Sequence, residues 1–487
     1  MSTLHQLQPT ALWQHFAAIC DIPHPSFHEE QILEHLIGFA RQHNLEYQTD
    51  EAGNIIMRKP ATPGLEKKAG IIFQNHMDMV PQKNHGTEHD FPTAPIKAYI
   101  DGDWVTAEGT TLGADNGIGM AAALAVLAAD DLEHGPIEAL FTSTEEAGMV
   151  GAQGLKPGVL NGKILLNLDT EDEGELYTGC AGGVRIQING QYQPESGDAS
   201  LKFMHLNLSG LKGGHSGCDI HLGRGNAIKL LVRALRQLEN HQVRLASFRS
   251  GSVPNAIPRE ANATIALPGE QLESVAAIVD QLNSEFTNEL QQAEPNLKLT
   301  LIDADVSPLL PVSTQNQWLA ALAACPNGVL RMSDTVEGVV ETSSNLGVLK
   351  IAEGKMQAQV MPRSLIDSCV TATGDTVKGL FNLVDAEVQF IDPYPGWQPN
   401  ADSNILSIMQ GVYANLYGQE PAVKVIHAGL ECGLLGSKYP EWDMISFGPT
   451  ICFPHSPDEK VHIHSVQKFW NLLVATLKAI PESEIHR

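Results

Sequence analysis

The sequence predicts an α/β protein with a large inserted domain, and two observations carry that prediction. Short apolar runs at residues 70–73, 137–141 and 164–168 are rich in branched or aromatic residues, which is typical of buried strands. An alanine-rich helix is predicted at about residues 116–129, between the first two runs, and this strand, helix, strand order indicates helices packed on a sheet. The second observation is a change of pattern after residue 183.

Beyond residue 183 polar and apolar residues alternate, for example at residues 184–188 and 205–208. Such alternation predicts antiparallel strands with one exposed face. Helices are predicted between them, near residues 226–240 and 269–290. This part of the chain is therefore expected to be an α+β region.

A proline-rich segment at residues 393–397 closes that region, and helices resume in the remaining tail. The predicted boundaries give one domain of residues 1–182 and 397–487 and an inserted domain of residues 183–396, with two similar lobes as one interpretation. A length of 487 residues fits this division, because domains average roughly 150 residues.

An amphipathic helix is expected to begin near Ser26 and Glu29. These two residues have the spacing of a capping box, and apolar residues follow at helical period. The pattern therefore predicts the start of an amphipathic helix, with the spacing of a capping box.

Composition excludes several classes of protein. With 31 basic and 57 acidic residues the formal net charge is −26, whereas a nucleic-acid binder needs a cationic face. A hydrophobic fraction of 43% and a charged fraction of 18% indicate a folded chain rather than a disordered polyanion.

No membrane anchor, signal peptide or disulfide framework is predicted. The longest nearly apolar stretch, residues 117–129, is shorter than the roughly 18–20 residues of a membrane span, and the N-terminus lacks a basic segment followed by an apolar one. The 7 cysteines are scattered and never form a Cys-x-x-Cys pair, which favours free thiols in a reducing cytoplasm.

Histidines and carboxylates recur where predicted strands end or a helix begins, and a further histidine lies in a late turn. They are His76, Asp78, Asp115, Glu145, Glu146, Asp169 and His455. Each alone is compatible with an ordinary structural or solvated residue, but together they lie on the side of an α/β sheet where such folds place their sites. Histidine and carboxylate ligands suit zinc, cobalt or manganese, and one carboxylate can bridge two ions.

Three local patterns partly match motifs of other kinds of site, but each departs from its motif. The glycines at residues 117–119 follow polar residues instead of a strand, so they do not predict a dinucleotide site. Cys218 replaces the last glycine of a nucleophile elbow, and Ile32 replaces the second histidine of a zincin helix.

Five motifs follow one another along the chain: His-x-Asp, Gly-x-Asp-Asn-Gly, Glu-Glu-x-Gly, an aspartate after a strand, and a late His-x-x-Asp-Glu. Taken in this order, they resemble the motifs of the two-zinc exopeptidase family that includes aminoacylase, carboxypeptidase G and carnosinase. The resemblance spans essentially the whole chain. It implies a zinc-exopeptidase-like catalytic domain, with a mixed sheet flanked by helices, and an inserted α+β lid domain.

The same resemblance implies a ligand set. Asp115 would bridge two divalent ions, zinc being expected and cobalt or manganese being alternatives. One ion would also be bound by His76 and Asp169, and the other by Glu146 and His455.

Roles close to the ions are implied as well. Asp78 would orient His76, and Glu145 would act as the general base on the attacking water. Adjacent side chains in an irregular turn diverge, so Glu145 can face the water while Glu146 binds metal. The peptide bond after Asp115 is implied to be cis.

The inserted domain is expected to supply substrate contacts. By resemblance, His215 would donate a hydrogen bond to the oxyanion, while Asn255 and Arg363 would bind the substrate. An arginine suits a substrate carboxylate because its donors match both oxygens. Gly429 would approach the substrate through its backbone, and the roles of the other side chains at residues 427–431 stay open.

The implied activity is metal-dependent hydrolysis of dipeptides, preferentially those with a C-terminal histidine. Alternatives within the family are broader dipeptides, tripeptides or N-acyl amino acids. A non-catalytic binding protein is the alternative from another class, but it would be expected to lack the base or a ligand. The expected partner is a small peptide, with no nucleic acid or membrane, and a homodimer is a further possibility.

Overall fold

The computed structural model describes residues 3–198, 200–334 and 336–483. Two compact units are present. The first unit comprises Met1–Gly179, Pro399–Val425 and Leu430–Arg487, and the second comprises Cys180–Gln398 and Ile426–Gly429. The outermost residues of the predicted first domain, 1–2 and 484–487, lie outside the described residues. Residues 1–2 are also part of the N-terminal segment on which the prediction of no signal peptide was based.

The short stretch Ile426–Gly429 belongs to the second unit, whereas the sequence placed it in the first domain. Its backbone explains the difference, because the Ala181 N–H donates to the carbonyls of Ile426 (3.0 Å) and Ala428 (3.1 Å). These hydrogen bonds join residues distant in sequence, and no local pattern announces them.

A mixed sheet of eight strands organises the first unit, and its four central strands pair in parallel. In order across the sheet, the strands are Glu46–Thr49, Ile55–Lys59, Ile137–Thr142, Ile71–His76, Ile164–Asn167, Asp443–Ser446, Glu175–Cys180 and Ala422–Ile426. The strand Ile71–His76 is buried along its whole length, as expected for a parallel strand covered on both faces. The predicted α/β fold class is confirmed.

The helices of this unit are Thr10–Cys20, Glu30–Gln42, Ala114–Ala128, Val150–Gly154, Asn404–Tyr417, Glu431–Lys438 and Ile463–Ala479. Ala114–Ala128 is the predicted alanine-rich helix, and nearly all of its residues are buried. Small side chains let it approach its neighbours closely. A Cβ atom added at Gly117 would lie 3.0 Å from a ring carbon of Phe16 on the helix Thr10–Cys20.

A small sheet of four strands brings a late turn of the chain beside an early loop. Its strands are Ile451–Cys452, Lys460–His462, Trp104–Ala107 and Ala98–Asp101, in that order. The turn between the first two strands carries His455. The strand Trp104–Ala107 precedes the loop that leads into the helix Ala114–Ala128.

The predicted amphipathic helix is present, but Ser26 and Glu29 do not form a capping box. The helix begins at Glu30, and its N-cap residue Glu29 makes no capping hydrogen bond through its side chain. The side chains of Ser26 and Glu29 bind other parts of the unit instead. Tertiary partners therefore replace the local hydrogen bonds that the spacing suggested.

The second unit is built on one antiparallel sheet of nine strands. Eight follow the order Lys298–Asp303, Leu201–Ser209, Ala261–Pro268, Arg244–Ser250, Val340–Ala352, Lys355–Ser364, Gly182–Gln191 and Glu387–Tyr394. The ninth, Gly328–Met332, pairs with Val340–Ala352. The helices of this unit are Ala227–Gln237, Leu272–Glu289, Val312–Ala324 and Asp367–Asn382.

A separate two-stranded ribbon pairs Gly214–His215 with Ala256–Ile257. In the described part of the chain, no helix combines the length and the apolar character that crossing a membrane requires.

Acid is expected to destabilise the first unit through His15. Burial, followed by the charges of His35 and His43, lowers the pKa of His15 from 6.5 to about 4. Because the unfolded chain takes up this proton more readily, the stability contribution is complete above pH 6.5 and is lost as the pH falls towards 4. We expect the thermal midpoint of His15→Asn to fall less than that of the wild type between pH 7.5 and pH 4.5. Equal losses in the two proteins would contradict this prediction.

Candidate active site

The sequence-predicted metal ligands lie together at the carboxyl edge of the central parallel strands. His76 is the last residue of its strand, and Glu146 and Asp169 follow the ends of the two neighbouring strands. Asp115 lies in the first turn of the helix Ala114–Ala128, and His455 lies in the turn of the small sheet. Parallel pairing explains the assembly, because parallel strands end at the same edge of a sheet.

The ligands form two sets that share Asp115. In one set, the Nε2 atom of His76 lies 3.0 Å from Asp115 Oδ1 and 3.2 Å from Asp169 Oδ1. In the other set, the Nε2 atom of His455 lies 3.1 Å from Asp115 Oδ2 and 3.0 Å from Glu146 Oε1. Each oxygen of Asp115 therefore faces a different imidazole.

The tautomer of His76 supports a cation at this position. The Nδ1 atom of His76 lies 3.0 Å from the carbonyl oxygen of Asp78, so a neutral ring donates there and turns the lone pair of Nε2 towards the carboxylates. Burial alone lowers the pKa of His76, but Asp169 and Asp115 raise it well above the usual value. A positive charge between ring and carboxylates is favoured, and a divalent cation supplies it.

The carboxylates point to the same conclusion. Glu146 Oε1 and Asp169 Oδ1 are buried, and apart from their contacts with the Nε2 atoms of His455 and His76 they have no hydrogen-bond partner among the residues that the structure describes. Ligand atoms of His76, Asp115 and Glu146 lie within 4.8 Å of one another. Nitrogen and oxygen donors at these separations fit zinc, cobalt or manganese.

Asp78 anchors both His76 and the loop that carries the paired glutamates. Its side chain is fully buried, with Oδ1 3.4 Å from His76 Nδ1. The same carboxylate accepts the backbone N–H groups of Glu145 (2.8 Å) and Glu146 (3.2 Å) and the hydroxyl of Ser26 (2.7 Å). One aspartate therefore contacts the candidate ligand His76 and fixes the backbone of the candidate base Glu145.

Glu29 supports the same loop from the other side. Its Oε1 atom accepts hydrogen bonds from the backbone N–H (2.9 Å) and the hydroxyl (2.6 Å) of Thr144. Thr144 has φ 49, in the left-handed region, so the loop turns sharply just before the glutamates. Sequence reasoning missed the roles of Ser26 and Glu29, because their partners lie far along the chain.

Glu145 occupies a strongly acidic environment. Burial raises its pKa well above the usual range, and Glu146 and Asp169 add to the rise against the opposing charge of His76. Cations placed among these carboxylates would lower that pKa again. A glutamate with this environment can accept a proton from water and release it later.

Glu431, whose role the sequence left open, lies in the same acidic cluster. Its Oε2 atom accepts hydrogen bonds from Gln74 Nε2 (2.5 Å) and Thr142 Oγ1 (2.7 Å). Burial raises its pKa to about 8. The carboxyl group therefore binds side chains from both of the central strands that end at His76 and Thr142.

In the second unit, the hydrogen bonds of His215 fix its tautomer. Its Nδ1 atom accepts the backbone N–H groups of Gly217 (3.2 Å) and Cys218 (3.0 Å), so the proton of the neutral ring is on Nε2. Burial and then the charge of Arg363 lower the pKa of His215 to about 4. At neutral pH His215 is therefore an uncharged hydrogen-bond donor.

Arg363 is 4% exposed, and its Nη1 atom donates to Tyr394 Oη at 2.6 Å. Its Nε atom is buried and has no hydrogen-bond partner among the described residues. A buried guanidinium with unused donors is suited to bind an anion from outside the unit.

Asn255 and Gly429 lie in segments held near these two residues. Asn345 Nδ2 donates to the carbonyls of Pro254 (2.9 Å) and Ala256 (2.8 Å), which fixes the exposed turn of Asn255. Gly429 follows His427, whose Nε2 atom lies 2.8 Å from Ser343 Oγ. Burial, then Arg363 and His215, lower the pKa of His427 to about 3.

The structure thus groups the candidate residues by unit. The first unit holds the candidate ligands His76, Asp115, Glu146, Asp169 and His455 together with Asp78 and Glu145. The second holds His215, Asn255, Arg363 and Gly429. The peptide bond between Asp115 and Asn116 is cis, as the family resemblance implied.

Comparison with known proteins gives a consistent result along the whole chain. Residues 72–479 match the family described as Peptidase family M20/M25/M40. The chain is 48% identical over 483 residues to the cytosol non-specific dipeptidase of Escherichia coli (strain K12), covering 99% of this chain and 100% of that protein.

Solved structures agree with this match. The aminoacylhistidine dipeptidase of Vibrio alginolyticus is 50% identical, with a TM-score of 0.90 over 99% of both chains. Aminopeptidase PepT from Bacillus cereus is 16% identical with a TM-score of 0.58, covering 97% of this chain and 99% of that one, and shares the fold.

Proposed function

Because this chain belongs to the peptidase family M20/M25/M40, we propose that it hydrolyses dipeptides with the help of two divalent cations and prefers a C-terminal histidine. The observation that carries the proposal is Asp115, which faces His76 through one carboxylate oxygen and His455 through the other. The two relatives of about half identity are a non-specific dipeptidase and an aminoacylhistidine dipeptidase, which supports dipeptides as the substrate class.

Asp115 would hold both cations, with His76 and Asp169 completing one site and Glu146 and His455 the other. When bound, such a pair supplies Lewis-acid chemistry that acidifies water and stabilises negative charge developing on the substrate. Zinc is proposed, since histidine and carboxylate ligands suit it, and cobalt or manganese would fit the same donors.

Glu145 carries the proton in the proposed reaction. Its carboxylate accepts a proton from water while the water oxygen forms a bond to the peptide carbonyl carbon. The carbon–nitrogen bond then breaks, and Glu145 gives the proton to the departing amine. Asp78 positions this step, because it holds the backbone N–H groups of both Glu145 and Glu146.

The second unit is proposed as the lid domain that binds substrate. The Nε2–H group of neutral His215 would donate to the carbonyl oxygen as it gains negative charge. Arg363 would bind the C-terminal carboxylate, because its guanidinium is buried with unused donors. Asn255 and the backbone of Gly429 would contact the rest of the peptide.

The proposal also covers the cellular location and the oligomeric state. The name of the Escherichia coli relative supports a cytoplasmic protein. A homodimer is proposed, and light scattering that gives a monomer mass would count against it.

A substrate panel tests the proposed activity. We expect Ala-His to be cleaved fastest, other dipeptides more slowly, and Ala-Ala-Ala and N-acetyl-alanine least. Ala-His amide should be cleaved poorly, since it offers no carboxylate to Arg363. A chelator should abolish every activity and zinc should restore it. If the tripeptide or the acyl amino acid were cleaved faster than every dipeptide in the panel, the proposed substrate class would be contradicted.

A further inference from the structure

Glu459 holds the loop that carries Asp115. Its side chain is 2% exposed, and Oε2 accepts the backbone N–H groups of Leu112 (2.8 Å) and Gly113 (3.0 Å). Oε1 accepts those of Ala114 (2.8 Å) and Asp115 (3.3 Å). One carboxylate thus binds four consecutive backbone N–H groups that end at the shared candidate ligand.

These hydrogen bonds fix a segment that has no regular secondary structure of its own. Asp115 (φ −84, ψ 106) and Asn116 (φ −107, ψ 30) have non-helical backbone angles at the start of the helix Ala114–Ala128, and Gly113 has φ 73, in the left-handed region. Buried backbone N–H groups in such a segment need an acceptor from elsewhere. Glu459, which is 344 residues from Asp115 in sequence, supplies that acceptor.

The backbone of Glu459 is fixed to the turn that carries His455. The N–H of Glu459 donates to the carbonyl of Ser456 (3.0 Å), and the hydroxyl of Thr106 donates to the carbonyl of Glu459 (2.7 Å). Glu459 therefore connects two segments. Its side chain binds the loop that carries Asp115, and its main chain binds the turn that carries His455.

We propose that Glu459 is a positioning residue that sets the separation of Asp115 and His455 and thereby the affinity for divalent cations. Both oxygens of Glu459 are occupied by backbone N–H groups, so it acts through Asp115 and does not bind a cation itself. This inference rests on the proposed metal-dependent function.

The test compares cation binding in Glu459→Gln and in the wild type. The amide keeps one accepting oxygen and turns its NH2 group towards two backbone N–H groups, so the loop of Asp115 must shift. We expect metal-stripped Glu459→Gln, titrated with Co2+ by calorimetry and absorption spectroscopy, to bind about 10- to 100-fold more weakly than the wild type. Saturating Co2+ should restore most of the turnover with little change in KM.

Asp458→Asn is the matched control. It removes the same charge from the adjacent, exposed residue of the same turn, so its Co2+ affinity should equal that of the wild type. Glu459→Asp serves if Glu459→Gln does not fold. Its shorter carboxylate cannot reach all four N–H groups, and an intermediate loss of affinity is expected.

The outcomes separate this inference from the function on which it rests. A folded Glu459 variant that binds Co2+ as tightly as the wild type would overturn the positioning role alone. A wild-type chain that binds no Co2+ would instead overturn the proposed metal-dependent function.

Discussion

Replacing Glu145 by glutamine is expected to lower kcat by about 10²- to 10⁴-fold, the usual contribution of a general base. The amide keeps the size of the side chain but cannot accept a proton from water. Burial and neighbouring carboxylates raise the pKa of Glu145, so removing this acidic group should also leave the thermal midpoint unchanged or higher. Steady-state kinetics on Ala-His and thermal unfolding measure the two effects.

Glu146→Gln is the matched control, because it makes the same change one residue further along the same turn. Glu146 contacts His455 Nε2 at 3.0 Å, so its replacement should weaken binding of one cation. Glu145→Gln should bind both cations normally and still turn over slowly. Near-normal kcat in metal-loaded Glu145→Gln would show that another group takes the proton.

Asp115→Asn is expected to have the largest effect on cation binding, with activity falling below detection. Asp115 presents one oxygen to each imidazole, at 3.0 Å from His76 and 3.1 Å from His455, so one substitution alters both candidate sites. Asparagine fills the same space but lacks the negative charge and offers only one oxygen. Metal analysis after dialysis should find neither cation at full occupancy.

Asp169→Asn provides the comparison for a ligand of one site. Asp169 contacts only His76 of the two imidazoles among the described contacts, at 3.2 Å. Its replacement should weaken one cation and spare the other. If Asp115→Asn and Asp169→Asn lost the same single cation, Asp115 would not be shared.

Much of the site follows from the sequence because of a general property of parallel sheets. The apolar runs that end before His76, Glu145 and Asp169 predict strands, and parallel strands bring their following residues to one edge. The family resemblance then separates residues that look alike locally, such as Glu145 and Glu146. The structure places all of the predicted ligands in one cluster.

The supporting residues could not be predicted in the same way. Glu459 binds a loop 344 residues away, and Glu29 binds Thr144 across 115 residues. Ser26 and Glu29 even carried a misleading local signal, because the spacing of a capping box does not reveal whether a tertiary partner competes for the side chains. Likewise, Ile426–Gly429 belongs to the second unit through long-range hydrogen bonds, such as those that Ala181 forms with Ile426 and Ala428 and the one between Ser343 and His427.

The metal stoichiometry of activity is the most direct measurement of the proposed centre. Metal-stripped protein should be inactive, and stepwise addition of zinc should restore Ala-His hydrolysis until two cations are bound per chain, with no further gain beyond two. Full activity in chelator-treated protein that contains no metal, or saturation of both binding and activity at one cation per chain, would contradict a centre built on a shared Asp115.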